Sequence, residues 1–335
     1  MTRANFASDN WAPVHPRVME ALARANDGNV PAYGDDPHTA RAITLLKQHF
    51  GEKAIPHLAL TGTGANVLAL GSCLRPWEGV ICPETAHIMA NETGAPEWHL
   101  GTRLITVPTP DGRLTVEALR SRIKGMGNEH KVQPKVVSIS QATEFGTVYS
   151  PDELRALCEV AHGAGLYVHM DGARLANAAA SANVGLADIC TGVDVLSFGA
   201  TKNGAMGAEA VIFFNPALAE GFLYRRKQGM QLASKMRYVA AQFVGLLEDD
   251  TWLANARHAN AMAKRLAEGF RHLGFQMTQP VESNHVFAIL PAERIAPLER
   301  AGSFYIWAPE RSEYRFVCSF ATSPEEVDGF LAAAA

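Results

Sequence analysis

The chain has 335 residues, of which 47% are hydrophobic and 19% are charged, and its formal net charge is −4. These values are typical of a globular protein with a large core, divided into two domains of unequal size. A slightly acidic chain without a basic patch excludes nucleic acid and anionic membranes as expected partners. The five cysteines are far apart and form no C-x-x-C pair. We therefore expect free buried thiols in a reducing compartment, with neither disulfides nor a metal site.

No segment approaches the roughly 20 apolar residues of a membrane helix. The N-terminus also lacks an apolar stretch of signal-peptide length. We predict a cytoplasmic protein.

Short apolar runs alternate with segments of helical period along most of the chain. The predicted strands are His57–Leu60, Gly79–Cys82, Leu104–Val107, Lys135–Ser140, Leu166–Met170, Asp194–Phe198 and Ala210–Phe214. The predicted helices between them are Ala65–Leu74, Val116–Lys124, Pro151–Ala164 and Leu175–Ala182. Strands that alternate with helices indicate right-handed βαβ units and a mostly parallel sheet.

Two helix starts carry explicit capping signals. Ser150 precedes Pro151, and Glu153 completes a capping box; the same pattern recurs at Ser323-Pro324-Glu325-Glu326. A helical stretch follows from Pro216 to about Phe270. We predict an α/β fold in which residues 1–250 form a large domain and residues 251–335 a small C-terminal α+β domain.

The first candidate site is the loop Thr61–Asn66, which lies between a predicted strand and a predicted helix. Gly62 and Gly64 let the backbone approach a ligand, and the N–H groups of a helix N-terminus favour a phosphate. Thr63 offers a hydroxyl group. Val67 stands where a dinucleotide fingerprint requires Gly or Ala, so the pattern favours a single phosphate. The alternative is a tight turn without a ligand.

The second candidate is Asp171, which follows an apolar run at the expected end of a strand. Ligands bind beyond the carboxyl ends of strands in such sheets. A carboxylate there can hold a protonated pyridine nitrogen, and Arg174 is near enough to orient the ring or bind an anion. The alternative is that Asp171 caps the next helix.

The third candidate is Lys202, flanked by small residues and again at the end of a strand. A partly desolvated lysine with a lowered pKa is a nucleophile for a Schiff base, and Thr201 offers a further phosphate contact. Alternatively Lys202 is a surface lysine. A phosphate loop, then an Asp, then a Lys is the order found in enzymes of the aspartate-aminotransferase fold, which use pyridoxal 5′-phosphate (PLP). We therefore predict PLP bound to Lys202.

Further short motifs agree with this reading in order and spacing. They are Phe6–Asn10, Tyr33–Pro37, Ala86–Ile88, Glu92–Gly94 and Tyr314–Val317. Together with the three loops, they make the sequence resemble the low-specificity L-threonine aldolases of the β-eliminating lyase superfamily, which are PLP enzymes of fold type I. The resemblance implies cleavage of L-threonine, L-allo-threonine and related β-hydroxy-α-amino acids, such as phenylserine, to glycine and an aldehyde. Another PLP enzyme of this fold (a β-eliminating lyase or an aminotransferase) and a catalytically idle PLP-binding relative remain alternatives.

The resemblance also implies roles for individual residues. The cofactor phosphate would lie at Gly62 and Thr63, its ring nitrogen at Asp171 and its 3′-oxygen or the substrate at Arg174. His87 would stack on the ring and help to deprotonate the β-hydroxyl group; read alone, it is a packed core histidine. Ser8 and Arg315 would hold the substrate carboxylate. Read alone, Arg315 is a strand residue that faces solvent.

One position departs from the pattern of the family. Many relatives carry a second active-site histidine after the strand that ends at Ser140, whereas this chain has Glu144 there. The base that acts on the β-hydroxyl group is therefore Glu144, His87 or a water. The resemblance further implies a homodimer or homotetramer with shared active sites. The cluster Arg225-Arg226-Lys227 either reaches a neighbouring subunit's phosphate or is a solvated helix face.

Overall fold

The computed structural model describes residues 3–334. Its strands are β1 (Ala4–Asn5), β2 (Ile55–Ala59), β3 (Glu78–Pro83), β4 (Arg103–Val107), β5 (Gln133–Ser140), β6 (Tyr167–Gly172), β7 (Val195–Gly199), β8 (Glu209–Phe213), β9 (Gln276–Met277), β10 (His285–Ile289), β11 (Gly302–Ser303), β12 (Tyr305–Ala308) and β13 (Glu313–Val317). Its helices are α1 (Pro16–Ala25), α2 (Pro37–Phe50), α3 (Gly62–Cys73), α4 (His87–Ala90), α5 (Ala95–Leu100), α6 (Val116–Arg122), α7 (Pro151–Gly163), α8 (Leu175–Ala182), α9 (Phe222–Gln228), α10 (Met236–Leu247), α11 (Thr251–His272), α12 (Ala292–Ala301) and α13 (Pro324–Ala334).

A central sheet of seven strands organises most of the chain, in the order β2-β8-β7-β6-β5-β3-β4. The pairs from β7 to β4 are parallel, and β8 runs antiparallel to both of its neighbours. The strands β5, β6 and β7 are almost continuously buried, as expected for a sheet covered on both faces. The predicted α/β fold with a mostly parallel sheet is confirmed.

A second, smaller sheet is formed by the C-terminal part of the chain, in the antiparallel order β12-β13-β10-β9. Its core includes Phe270, Phe316 and Phe330, and it also takes in Phe6 from the N-terminal segment. The helix α11 contributes Trp252 to the core of the large sheet and Leu266 to this second core. The predicted small α+β unit is thus present, while the boundary at residue 250 stays a proposed division.

Local signals in the sequence account for several helix ends. The Ser150 hydroxyl accepts the N–H of Glu153, and the Glu153 carboxylate accepts the N–H of Ser150 (2.8 Å), so the predicted capping box is confirmed. Ser323 and Glu326 make the same exchange at the start of α13. Such boxes satisfy N–H groups that a helix N-terminus otherwise leaves without partners.

All five cysteines are buried free thiols, as predicted. Among residues 3–334, none of the helices combines the length and apolar character needed to cross a bilayer.

Candidate active site

A cleft opens at the carboxyl ends of the parallel strands and holds about 510 Å³ of space, part of it open to solvent. Parallel strands end at one edge of the sheet, so the loops after β5, β6 and β7 meet there. Of the predicted site residues, the cleft brings together Gly62, Thr63, His87, Glu144, Asp171, Arg174 and Lys202. Ser8, Gly64, Thr201 and Arg315 do not line it.

One end of the cleft is the N-terminus of α3. Thr61 caps this helix by accepting the N–H of Gly64 at its hydroxyl (3.1 Å), and Gly62 and Thr63 line the cleft. Gly64 itself packs against the Gln231 side chain, so its lack of a Cβ makes room for Gln231. Gln231 Oε1 accepts the N–H groups of Leu60 (3.0 Å) and Thr61 (3.2 Å) and so braces the loop.

Asp171 lies at the end of β6, buried at the base of the cleft. Its Oδ2 accepts the Asn66 amide (2.9 Å), and its Oδ1 accepts the N–H of Ala173 (3.0 Å). Burial alone raises the pKa of Asp171, but the Asn66 hydrogen bond and the charge of Lys202 outweigh it, so the net pKa lies below the ordinary value. Asp171 is therefore a buried carboxylate that stays ionised.

His87 begins α4 and is tied to Asp171 through two further side chains. Its Nδ1 lies 2.7 Å from Glu92 Oε1, and the same oxygen accepts the Asn66 amide at 2.8 Å. A carboxylate oxygen accepts, so the neutral form of His87 that fits this contact has its proton on Nδ1 and Nε2 as an acceptor. His87, Glu92 and Asp171 could also be taken for a metal site. The Asn66 amide, however, donates to both acids.

Glu144 follows β5 and lines the cleft next to His87. Its Oε1 accepts the Ser140 hydroxyl (2.6 Å) and the backbone N–H of His87 (2.9 Å). Its Oε2 is buried and has no hydrogen-bond partner within residues 3–334. Burial, reinforced by the charge of Asp171, raises the pKa of Glu144. Glu144 Oε2 therefore has hydrogen-bonding capacity that no other group of residues 3–334 meets.

Lys202 lies in the short turn Thr201–Asn203 directly after β7. Burial and the nearby charge of Arg174 lower the pKa of Lys202, against the opposing charges of Asp9 and Asp171. A lowered pKa increases the fraction of neutral, nucleophilic amine. The preceding residue, Thr201, donates its hydroxyl to Glu209 (2.5 Å) rather than facing the cleft directly.

Arg174 is held by an acid that the sequence reading did not single out. Its Nε and Nη2 donate to the two oxygens of Asp9 at 2.7 and 2.9 Å, a bidentate pair with both side chains largely buried. Asn284 adds a donor to Asp9 at 3.1 Å. Burial alone raises the pKa of Asp9, but the pair with Arg174 outweighs it and keeps that pKa far below its usual range. Arg174 therefore presents only part of its donor set to the cleft.

Ser8 and Arg315 lie beyond this ion pair. The Ser8 hydroxyl accepts the N–H of Asn10 (3.1 Å) and caps a short turn. Arg315, on β13, sits over the rings of Tyr305 and Trp307 at 5.6 and 5.5 Å, and its buried Nε has no partner within the described chain. Arg315 is only partly exposed, with a donor available for an anion, so the solvent-facing alternative does not describe it.

The side chains of Asp9, Asn66, Glu92 and Glu209, which lie in or next to the cleft, were not assigned roles from the sequence. Asp9, Asn66 and Glu92 stood inside quoted motifs, so their positions were visible although their contacts were not. Glu209 stood in none, because a single acid at the start of a buried strand carries no local signal.

The donor set fits PLP. Asp171 is an ionised acceptor for a pyridine N–H, Lys202 is an amine of lowered pKa in the same cleft, and the N-terminus of α3 lies at one end. The buried oxygens that lack partners, Asn66 Oδ1 and Glu144 Oε2, leave hydrogen-bonding capacity in a site of this kind.

Comparisons with known proteins agree with this geometry. The low-specificity L-threonine aldolase of Pseudomonas aeruginosa is 45% identical over 327 residues, which cover 96% of this chain and 94% of that protein. The Leishmania major threonine aldolase structure superposes with a TM-score of 0.95 at 35% identity, covering 99% of this chain and 98% of that one. Aspartate aminotransferase from Thermus thermophilus, at 16% identity and a TM-score of 0.69 (98% and 91% covered), shows the fold alone. The cofactor implied by this family and fold is PLP. A family model of β-eliminating lyases matches residues 5–293, and the chain belongs to that family.

Proposed function

We propose that the protein is a PLP-dependent aldolase that cleaves L-threonine, L-allo-threonine and related β-hydroxy-α-amino acids to glycine and an aldehyde. The observation that carries this proposal is that Lys202 and the ionised Asp171 line one cleft with the N-terminus of α3. The 45% identity to a low-specificity L-threonine aldolase supports the reaction class. When bound, PLP supplies an electron sink for the breaking of a bond at Cα.

The residues of the cleft divide the binding work. Lys202 offers the amine that holds the cofactor covalently, and Asp171 offers an acceptor for its ring N–H. His87 lies on the wall of the cleft, where its imidazole can pack on the ring face. Gly62 and Thr63, which line the cleft at the N-terminus of α3, would hold the phosphate.

Two cations serve the substrate carboxylate in this proposal. The unpartnered Nε of Arg315 and the donors of Arg174 that Asp9 leaves free supply a fork for a carboxylate. Ser8, which precedes Asp9 in the chain, adds its hydroxyl in this proposal. Holding the carboxylate would fix the orientation of the substrate Cα, and so select which of its bonds the bound cofactor can weaken.

The proton of the β-hydroxyl group is taken by His87 Nε2 in this proposal. Glu92 fixes the other ring proton on Nδ1, so Nε2 is free to accept. In this proposal Glu144 carries a proton on the unpartnered Oε2 and donates a hydrogen bond to the same oxygen, and its raised pKa favours that neutral form. His87 as the base and Glu144 as the neutral acid would then act on the same β-oxygen, because their different surroundings favour different protonation states.

We also propose a homodimer or homotetramer with shared active sites, located in the cytoplasm. Exposed apolar side chains support the assembly: Tyr224 is 78% and Met230 is 74% exposed, and Met230 directly precedes Gln231, which braces the phosphate loop. Light scattering of the full chain tests this, and a monomer at working concentration contradicts it. The five free thiols fit a reducing compartment.

The decisive experiment is product analysis with L-threonine, using the PLP-loaded protein and its Lys202→Ala variant. Glycine and acetaldehyde, absent with the variant, are the expected result. If 2-oxobutyrate and ammonia form instead, the reaction is an elimination. If neither L-threonine nor phenylserine is turned over, the proposal is wrong and a PLP-binding protein of another task remains.

A further inference from the structure

The phosphate end of the cleft, lined by Gly62, Thr63 and Glu209, contains a buried carboxyl group. Glu209 begins β8, where its backbone pairs with Ala59 on one side and Gly199 on the other. Ala59 leads directly into the loop that starts α3, and the Glu209 side chain lines the same cleft as Gly62 and Thr63. An ionised carboxyl group at this place would repel an anion bound there.

Glu209 shares its protons with Thr201. The two side chains lie 2.5 Å apart, from Thr201 Oγ1 to Glu209 Oε1, and Thr201 Oγ1 also accepts the N–H of Ala208 (3.2 Å). Glu209 Oε2 makes no hydrogen bond within residues 3–334. A hydroxyl carries one proton, so an ionised Glu209 consumes it and the pair has nothing left to donate. A neutral Glu209 brings a second proton, and one of the two is then free for a ligand.

The charged groups that face Glu209 are Lys202, from the turn after β7, and Asp171, from β6. Burial, and to a smaller extent the charge of Asp171, raises the pKa of Glu209, whereas the Thr201 hydrogen bond and the charge of Lys202 lower it. The net pKa is about 7. Neutral and ionised forms therefore coexist near neutral pH.

We propose that Glu209 binds the cofactor phosphate as a neutral carboxylic acid, with the Thr201–Glu209 pair donating a hydrogen bond to a phosphate oxygen. The inference rests on the proposed function, because it concerns the phosphate of PLP. The sequence predicts a phosphate contact for Thr201 alone, whereas in this proposal Thr201 and Glu209 make that contact together. Ionisation of Glu209 removes the donor and adds a repelling charge, so phosphate binding weakens as the pH rises.

The test compares PLP with pyridoxal, which has the same ring and aldehyde but no phosphate. Both ligands are titrated into the full-length apoprotein, wild type and Glu209→Gln, from about pH 6 to about pH 9. In the wild type, the ratio of PLP affinity to pyridoxal affinity should fall by up to about tenfold per pH unit above the Glu209 pKa. In Glu209→Gln, the side-chain amide donates at every pH, so the ratio of PLP affinity to pyridoxal affinity should change less with pH than in the wild type. Effects on Lys202 act on both ligands and cancel.

The same pH dependence in both proteins overturns the inference, because the titrating group is then not Glu209. If Glu209→Gln does not fold, calorimetry of the wild type in buffers of different ionisation enthalpy replaces it. Binding of PLP at about pH 8 should take up more protons than binding of pyridoxal, and equal uptake overturns the inference. If the cofactor does not attach to Lys202, seen as no visible absorption band, the proposed function fails. If the absorption band and threonine cleavage are normal, but the affinity ratio has the same pH dependence in Glu209→Gln as in the wild type, the proposed function is retained and only the role of Glu209 is rejected.

Discussion

Two almost equally buried acids, one at each end of the cleft, have pKa values shifted in opposite directions. Asp171, at the ring end, is 9% exposed and Glu209, at the phosphate end, is 7% exposed. Asp171 accepts two N–H donors and has a lowered pKa, whereas Glu209 accepts one hydroxyl and has a raised pKa. Both acids lie near Lys202. The number of fixed donors, and not the depth of burial, thus decides which acid keeps its charge.

The largest expected effect is that of Asp171→Asn, which removes the charge at the ring end while keeping the shape. The variant should lose about 10²–10³-fold in kcat/KM, because a fixed charge that stabilises the developing electron sink disappears. Steady-state kinetics with L-threonine measures this loss. Asp194→Asn is a matched control, since Asp194 lies at the opposite end of the sheet and accepts the N–H of Val168 (2.8 Å). It should lower stability while the activity of the folded fraction stays unchanged, and an equal activity loss in both variants argues against a special role for Asp171.

The next effect concerns stability. Asp9→Asn leaves Arg174 largely buried without its ion pair and should lower the free energy of unfolding by about 3–5 kcal/mol. The folded pKa of Asp9 lies below its unfolded value, so the wild type has this stabilisation fully above about pH 4 and loses it as the pH falls further. Urea unfolding at several pH values checks both points. In the variant, the loss of stability between about pH 4 and more acid pH should be smaller than in the wild type, because only the part due to other carboxyls such as Asp171 remains. An equal loss in both proteins contradicts the role of Asp9.

Much of the scaffold was readable from the sequence. The seven strands of the large sheet matched predicted apolar runs, and the helix at Pro151 began at its predicted cap, because these features follow from local periodicity and local hydrogen bonds. The motifs also placed Lys202, Asp171, His87 and Glu144 in one cleft. Pairing across distant segments was not readable: Asp9 meets Arg174 across 165 positions, and Asn66 meets Asp171 across 105. Such contacts depend on how the elements pack, which spacing along the chain does not encode.

A smaller effect should come from Glu92→Ala, which tests whether the chain from His87 to Asp171 works as a unit. The His87 Nδ1–H and the Asn66 amide both lose an acceptor, so kcat/KM should fall by about tenfold or more. Nitrogen NMR of the apoprotein should show the His87 proton redistributed between Nδ1 and Nε2. Glu92→Gln keeps an acceptor oxygen, so its kcat/KM should lie between those of the wild type and Glu92→Ala. An unchanged tautomer in Glu92→Ala contradicts the positioning role.

The smallest effect is expected for Glu144→Gln, because Glu144, unlike Asp171, has a raised pKa. Glu144 has a raised pKa and an unpartnered Oε2, so glutamine imitates the neutral acid and its amide supplies the donor. The loss in kcat/KM should stay below about tenfold, whereas Glu144→Ala, which removes the donor, should lose more. Kinetics with L-threonine across neutral pH separates the cases. A loss in Glu144→Gln as large as that in Glu144→Ala means that the ionised carboxylate is required, and Glu144 then replaces His87 as the base for the β-hydroxyl proton.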